Sequence, residues 1–251
     1  MEKAATPGAV TVISGGSAGI GLAVAELLGA QGGRVALLGR HPESLERARA
    51  VLEARNAASA LTFTVDTTDE AEVADAFRQI DAKWGEVNAL VNAVGPSESG
   101  RFDDLTDEAW MRSFDQGVLT AVRCIRHALP LLRRAQWSRI VNITAMSVQH
   151  QSTSLIAYTA AKAALVSVSK NLARGLAHDG ILVNAVAPGP VLTAPIGAAV
   201  RAAHGDPNDP VDAYRVMSEM YGSSVDLGRV ALPAEVAEVV AFCASEANTY
   251  M

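Results

Sequence analysis

Short apolar runs alternate along the chain with longer segments in which apolar residues recur every three or four positions. Residues 9–14, 34–39, 61–65, 87–94, 139–144 and 181–186 are compact and rich in Val, Ile and Leu, the pattern of buried strands. Residues 20–31, 42–56, 69–84, 106–135 and 158–178 carry helical periodicity, and Thr68 is the expected cap of the third. Strand and helix alternating six times over predict βαβ units, hence a parallel sheet covered by helices on both faces. The rhythm breaks over residues 194–226, where Gly205-Asp206-Pro207-Asn208-Asp209-Pro210 separates two weakly helical pieces. Such a segment inside a compact domain is expected to be a substrate lid or insertion. A last helix is expected from Pro233, a good first-turn residue, to Ser245.

Composition narrows the class without naming a chemistry. The chain has 251 residues, 49% hydrophobic and 19% charged, enough for one well-buried core, and a single domain over 1–251 is expected. A net charge of −6 argues against nucleic acid or an anionic membrane as partner. Two distant cysteines, Cys124 and Cys243, read as reduced core thiols, and no metal site is expected. The first apolar run leads into glycines instead of a cleavage site, and no run approaches the ~18 residues that span a bilayer. A soluble, cytoplasmic protein is expected.

The first candidate for chemistry is Ser14-Gly15-Gly16-Ser17-Ala18-Gly19-Ile20-Gly21, directly after the first strand and opening the first helix. Glycines there allow a tight turn and close backbone approach to a pyrophosphate, which the N–H groups and dipole of the helix terminus then hold. A dinucleotide site is expected at Gly15, Ser17, Gly19, Ile20 and Gly21. A site for NAD usually has an acid about 20 residues further on, for the ribose 2′-hydroxyl. Gly39 and Arg40 stand there instead. A guanidinium suits a 2′-phosphate, so NADP is favoured, with NAD possible.

The second candidate is Tyr158-Thr159-Ala160-Ala161-Lys162, whose i,i+4 spacing puts Tyr158 and Lys162 on one helix face. A phenol, which ordinarily titrates near pH ~10, is a poor base at neutral pH, and an ammonium beside it would favour the phenolate. Together with the glycine loop, this pair resembles the short-chain dehydrogenase/reductase family. Other segments match it in order: Asp66 after the third strand, Asn92-Ala93-Val94-Gly95 against N-N-A-G, Pro188-Gly189-Pro190-Val191-Leu192-Thr193 against P-G-x-x-x-T, and Gly228-Arg229 with Pro233-Ala234-Glu235-Val236 before the last helix. The resemblance covers essentially the whole chain. It implies a Rossmann-type doubly wound fold and a 3-oxoacyl reductase-like hydride transfer between NADP(H) and a secondary alcohol or ketone. It implies further that Tyr158 exchanges the proton with substrate and Lys162 binds the nicotinamide ribose. Asp66 would bind the adenine amino group, Val191 and Thr193 the carboxamide, and Asn92, Gly95, Pro188 and Gly189 would complete the cofactor site.

The chain departs from the family pattern at three places. The family serine lies thirteen residues before the tyrosine, where this sequence has Ala145. Thr144 and Ser147 flank it, and strand alternation points Thr144 to the opposite face, so Ser147 is the better replacement. The family asparagine of the preceding helix is Gly117, which keeps a poor helix former but supplies no side chain. The sequence also stops at Met251, before the T-G-x-x-x-x-V-D-G-G segment that forms the family's seventh strand. Either a shortened chain or a tail beyond Met251 accounts for that. A lost edge strand would expose hydrogen-bonding groups.

Two readings follow. One is a working oxidoreductase, slowed by the two alterations. The other is a catalytically impaired cofactor-binding protein serving as sensor, scaffold or partner subunit. The resemblance also implies a homo-oligomer, tetramer or dimer, through the two long helices. The substrate is not legible beyond a small carbonyl or alcohol.

Overall fold

The computed structural model describes residues 7–251 except 56, 58, 96, 97 and 223. Six parallel strands form one sheet: β1 (Val10–Ser14), β2 (Arg34–Gly39), β3 (Ser59–Thr64), β4 (Ala89–Asn92), β5 (Ser138–Ile143) and β6 (Ile181–Val186). Their order is β3-β2-β1-β4-β5-β6. The chain winds outward from β1 in one direction, then returns to start the other half at β4. Sequence neighbours on the strands enter different apolar clusters: Ile13, Leu37, Val91 and Val141 pack on one face, Val12, Leu38, Leu90 and Ile140 on the other. Alternate side chains of a strand point to opposite faces, so two covered faces require the near-continuous apolar runs of the sequence.

Helices α1 (Gly19–Ala30) and α2 (Pro42–Ala54) supply the first face together with α9 (Pro233–Cys243). The second face is closed by α3 (Glu70–Trp84), α5 (Thr120–Leu132) and part of α6 (Ile156–Gly175). Between them in sequence lies α4 (Asp107–Phe114), and α7 (Ala194–Ala202) and α8 (Pro210–Tyr221) precede α9. α7 and α8 share an apolar cluster of their own, Val200, Ala213, Val216 and Val230. Residues 194–226 therefore hold two ordered helices and not a bare loop. Among the described residues no helix is long and apolar enough to cross a membrane.

Several boundaries differ from the expectation. α3 is capped by Asp69, not Thr68: Asp69 Oδ1 accepts from the backbone N–H of Ala71 (2.8 Å) and Glu72 (3.2 Å). Thr68 is captured instead by Asp66, donating its N–H (2.9 Å) and hydroxyl (2.8 Å) to Oδ1. β3 begins at Ser59, earlier than expected, because the register Arg34↔Ser59 starts pairing at the first residue of β2. β4 is shorter than 87–94, and α6 starts and ends earlier than 158–178. The stretch 106–135 is not one helix: a π turn, Asp115–Leu119, interrupts it, with Gly117 buried inside.

Candidate active site and cofactor cradle

The winding reverses between β1 and β4, whose ends pair as Ser14↔Asn92. Ligands of open α/β sheets bind outside the strand ends at such a switch point. The loops leaving these two strands touch. A Cβ on Gly15 would lie 3.1 Å from the Ala93 backbone, and Gly15 has φ +76. Gly21 is tighter still, since a Cβ there would lie 2.3 Å from the Gly15 carbonyl. α1 starts without a side-chain cap, leaving its first N–H groups, at Gly19, Ile20 and Gly21, for a ligand. A loop that admits no side chains, leading into an uncapped helix terminus, fits a pyrophosphate. At the far end of this loop the Ser17 hydroxyl lies 3.0 Å from where a Cβ on Gly39 would sit. Ser17 and the exposed Arg40 therefore sit at one end of the cradle, and an acid at position 39 would press on Ser17.

Asp66 faces the same end. Burial pushes its carboxyl up, but the two Thr68 bonds and the charges of Arg40 and Arg123 outweigh this and hold it below the ordinary range. It is ionised at neutral pH and can accept from an amino group. Asn92 is placed differently. Its amide is buried in the sheet and donates to Asn142 Oδ1 (2.8 Å), Asn142 donates to Ser169 Oγ on α6 (2.9 Å), and Ser169 donates to the Leu165 carbonyl (2.7 Å). Asn92 thus joins β4 to β5, and through them the sheet to α6.

Tyr158 lies in the first turn of α6 and Lys162 one turn later. Lys162 is buried at 3% exposure, and its Nζ donates to the carbonyls of Ile143 (2.8 Å) and Val94 (3.3 Å). Burial lowers its pKa to about 8. Nζ would also lie 3.4 Å from a Cβ on Gly95, so Gly95 packs directly beside the ammonium. The expected effect on Tyr158 is not seen: burial raises the phenol, with no lowering by the lysine. The ammonium donates to two carbonyls, and helical spacing alone does not aim it at the phenol.

Ala145 ends the extended stretch after β5 and is buried. Ser147, in the following 3-10 turn, is also buried and accepts a hydrogen bond from Thr159 Oγ1 (3.1 Å). Thr144 donates its hydroxyl to the Val186 carbonyl (3.1 Å), away from this turn. Met146 N–H donates to the Pro188 carbonyl (2.9 Å), and its sulfur would lie 3.2 Å from a Cβ on Gly189. The 145–147 turn and the 188–193 segment are therefore in contact. Val191 is buried and bridges Ala231. Thr193 precedes α7 without capping it, and its methyl would lie 3.4 Å from a Cβ on Gly19. Beside it a cavity of about 420 Å³ opens between α7 and the start of α9, with Arg201 and Asn208 among its walls.

The family model for short chain dehydrogenases matches residues 9–203, most of the chain. The chain belongs to the short-chain dehydrogenase/reductase family. A curated relative, a putative ketoacyl reductase of the monensin polyketide synthase from Streptomyces virginiae, is 31% identical over 94% of this chain and 90% of its own. The L-sorbose reductase of Gluconobacter frateurii, solved with NADPH and L-sorbose, superposes with a TM-score of 0.90 at 27% identity, covering 99% and 94% of the two chains. An NADPH-bound short-chain oxidoreductase of Pseudomonas aeruginosa, described as containing an atypical catalytic center, gives 0.89 at 27% identity over 97% and 92%.

Membership in the short-chain dehydrogenase/reductase family makes the chain an oxidoreductase by descent. The motif segments leave the strands at the same, C-terminal, end of the sheet, after β1, β2, β3, β4, β5 and β6. Motif reading does not find Thr159, Asn142 or Ser169. Ser169 lies seven residues after Lys162, and that i,i+7 spacing on one helix face is the available signal.

Proposed function

We propose that the protein transfers a hydride between NADP(H) and a secondary alcohol or ketone, with Tyr158 as the proton-exchanging residue. The observation that carries this reading is the buried Lys162 ammonium, fixed by the Ile143 and Val94 carbonyls beside Gly95, one turn from Tyr158. Protein interiors keep an unpaired ammonium only where something requires it. Bound NADP(H) supplies the hydride. The glycine loop and the α1 terminus would hold its pyrophosphate, Ser17 and Arg40 its 2′-phosphate, Asp66 its adenine amino group, and Pro188 to Thr193 its nicotinamide end. Lys162 would donate to its ribose. As the phenol, its form at neutral pH, Tyr158 would give its proton to the carbonyl oxygen in reduction; in oxidation it is the phenolate that would take the proton from the alcohol.

Ala145 favours the second reading, an impaired cofactor-binding protein. Losing one preorganised donor to the substrate oxygen typically costs about 2.7–4 kcal/mol, 10²–10³ in rate. Ser147 is the candidate substitute, its hydroxyl proton not being used in the bond it accepts from Thr159. Steady-state reduction of a panel of ketones with NADPH separates the readings. If Ser147 has taken over, Ser147→Ala is damaging and Ala145→Ser changes little; if nothing has, Ala145→Ser raises kcat. Turnover unchanged in both variants and in Tyr158→Phe would place the chemistry elsewhere.

A further inference from the structure

The π turn and the loop after β3 are remote in sequence but share one side chain. Arg123, on α5, donates to Asp115 Oδ1 (2.7 Å) and to the Thr67 carbonyl (3.4 Å). The pair is partly desolvated, with 17% of the arginine and 34% of the aspartate side chain exposed, so it is worth more than a surface ion pair. Asp115 opens the π turn, and its carbonyl accepts the N–H of Thr120. The Thr120 hydroxyl donates to the Gln116 carbonyl (2.7 Å). Thr67 follows Asp66, the acid at the adenine end. The π turn packs against α6, the helix of Tyr158 and Lys162.

We propose that Arg123 is a positioning residue that ties the adenine end of the cofactor cradle to the π turn beneath the catalytic helix. The inference rests on the cofactor reading above. A ligand amino group held by Asp66 restrains residues 66–68. The Thr67 carbonyl then restrains the guanidinium, which restrains Asp115 and the turn. Ordering at one site lowers the cost of ordering the other without a large movement. A π turn is rare, and such turns recur at functional sites, so it is the segment of the α4–α5 stretch where one tether has most effect. The competing explanation is an ion pair that only adds stability, and it predicts no response of the turn to a ligand at the adenine end.

The probe is 2′-phospho-ADP-ribose, which carries the adenine and 2′-phosphate but no nicotinamide. Amide hydrogen exchange over residues 115–120 is measured with and without it in the unmodified protein, Arg123→Met and Arg123→Lys. Bound fragment should slow exchange about fivefold in the unmodified protein, the low end of coupling between two sites. Arg123→Met should bind the fragment but lose the slowing, and Arg123→Lys, which keeps the charge, should restore part of it. If Arg123→Met does not fold, Asp115→Asn removes the same pair and takes its place. An unmodified protein that does not bind the fragment removes the cofactor reading and this inference with it. Binding with an unresponsive turn, or a full response in Arg123→Met, overturns the inference alone.

Discussion

Lys162 should leave a mark on the pH dependence of folding. It is buried, no acid pairs with it among the described residues, and burial lowers its pKa from 10.5 to about 8. Between those values the unfolded chain binds more protons than the folded one, so stability rises with pH across this window. At neutral pH the folded protein carries a penalty of about 3 kcal/mol for keeping the ammonium charged. About three-fifths of that is relieved by pH 9.5, so the expected gain between pH 7 and 9.5 is about 2 kcal/mol. Lys162→Met removes the titrating group and leaves two carbonyls without a donor, a cost that does not depend on pH. Urea unfolding at several pH values should therefore give curves that diverge by about 2 kcal/mol, the unmodified protein gaining on the variant. Parallel curves would show that Lys162 titrates as it does in water and would refute the reasoning from its burial.

Arg40→Asp should reverse a preference for NADPH over NADH by roughly 1–3 kcal/mol, one charge-assisted contact exchanged for repulsion. Equal affinities in the unmodified protein, by cofactor fluorescence titration, would refute it. Gly21→Ala should abolish cofactor binding, because its Cβ would lie 2.3 Å from the Gly15 carbonyl; undiminished binding by calorimetry would count against the cradle. Burial raises the Tyr158 phenol, so alcohol oxidation should climb about tenfold per pH unit toward pH 10 while reduction stays level there. An oxidation rate flat above pH 7 would mean that the proton acceptor is another group. The chain should sediment as a dimer or tetramer at micromolar concentration, and a monomer would contradict the expected association through the long helices.

The fold is legible in the sequence wherever burial on both sides forces near-continuous apolar strands, as in the Val-Ala-Leu-Leu run of β2 and the Ala-Leu-Val run of β4. Legibility fails where local chemistry allows two answers. Thr68 and Asp69 both cap helices well, and only the capture of Thr68 by Asp66 decides between them. The π turn at Asp115–Leu119 keeps an approximately helical period, and Gly117 is the single cue to it. In the site, contiguous motifs such as residues 14–21 and 188–193 can be read directly. The links between them cannot: Asn142 to Ser169 and Arg123 to Thr67 join elements that only the packed sheet brings together. The shift at Tyr158 runs against the sequence expectation for a related reason. Spacing puts Lys162 on the same face, but the Ile143 carbonyl determines where its ammonium points.

Hydride transfer through Tyr158 is tested most directly by comparing the unmodified protein with Tyr158→Phe, measuring NADPH binding by calorimetry and ketone-dependent NADPH oxidation by absorbance. Both proteins should bind NADPH with nearly equal affinity, and only the unmodified protein should consume it. A Tyr158→Phe variant that still turns over, or an unmodified protein that does not bind NADPH, would contradict that mechanism.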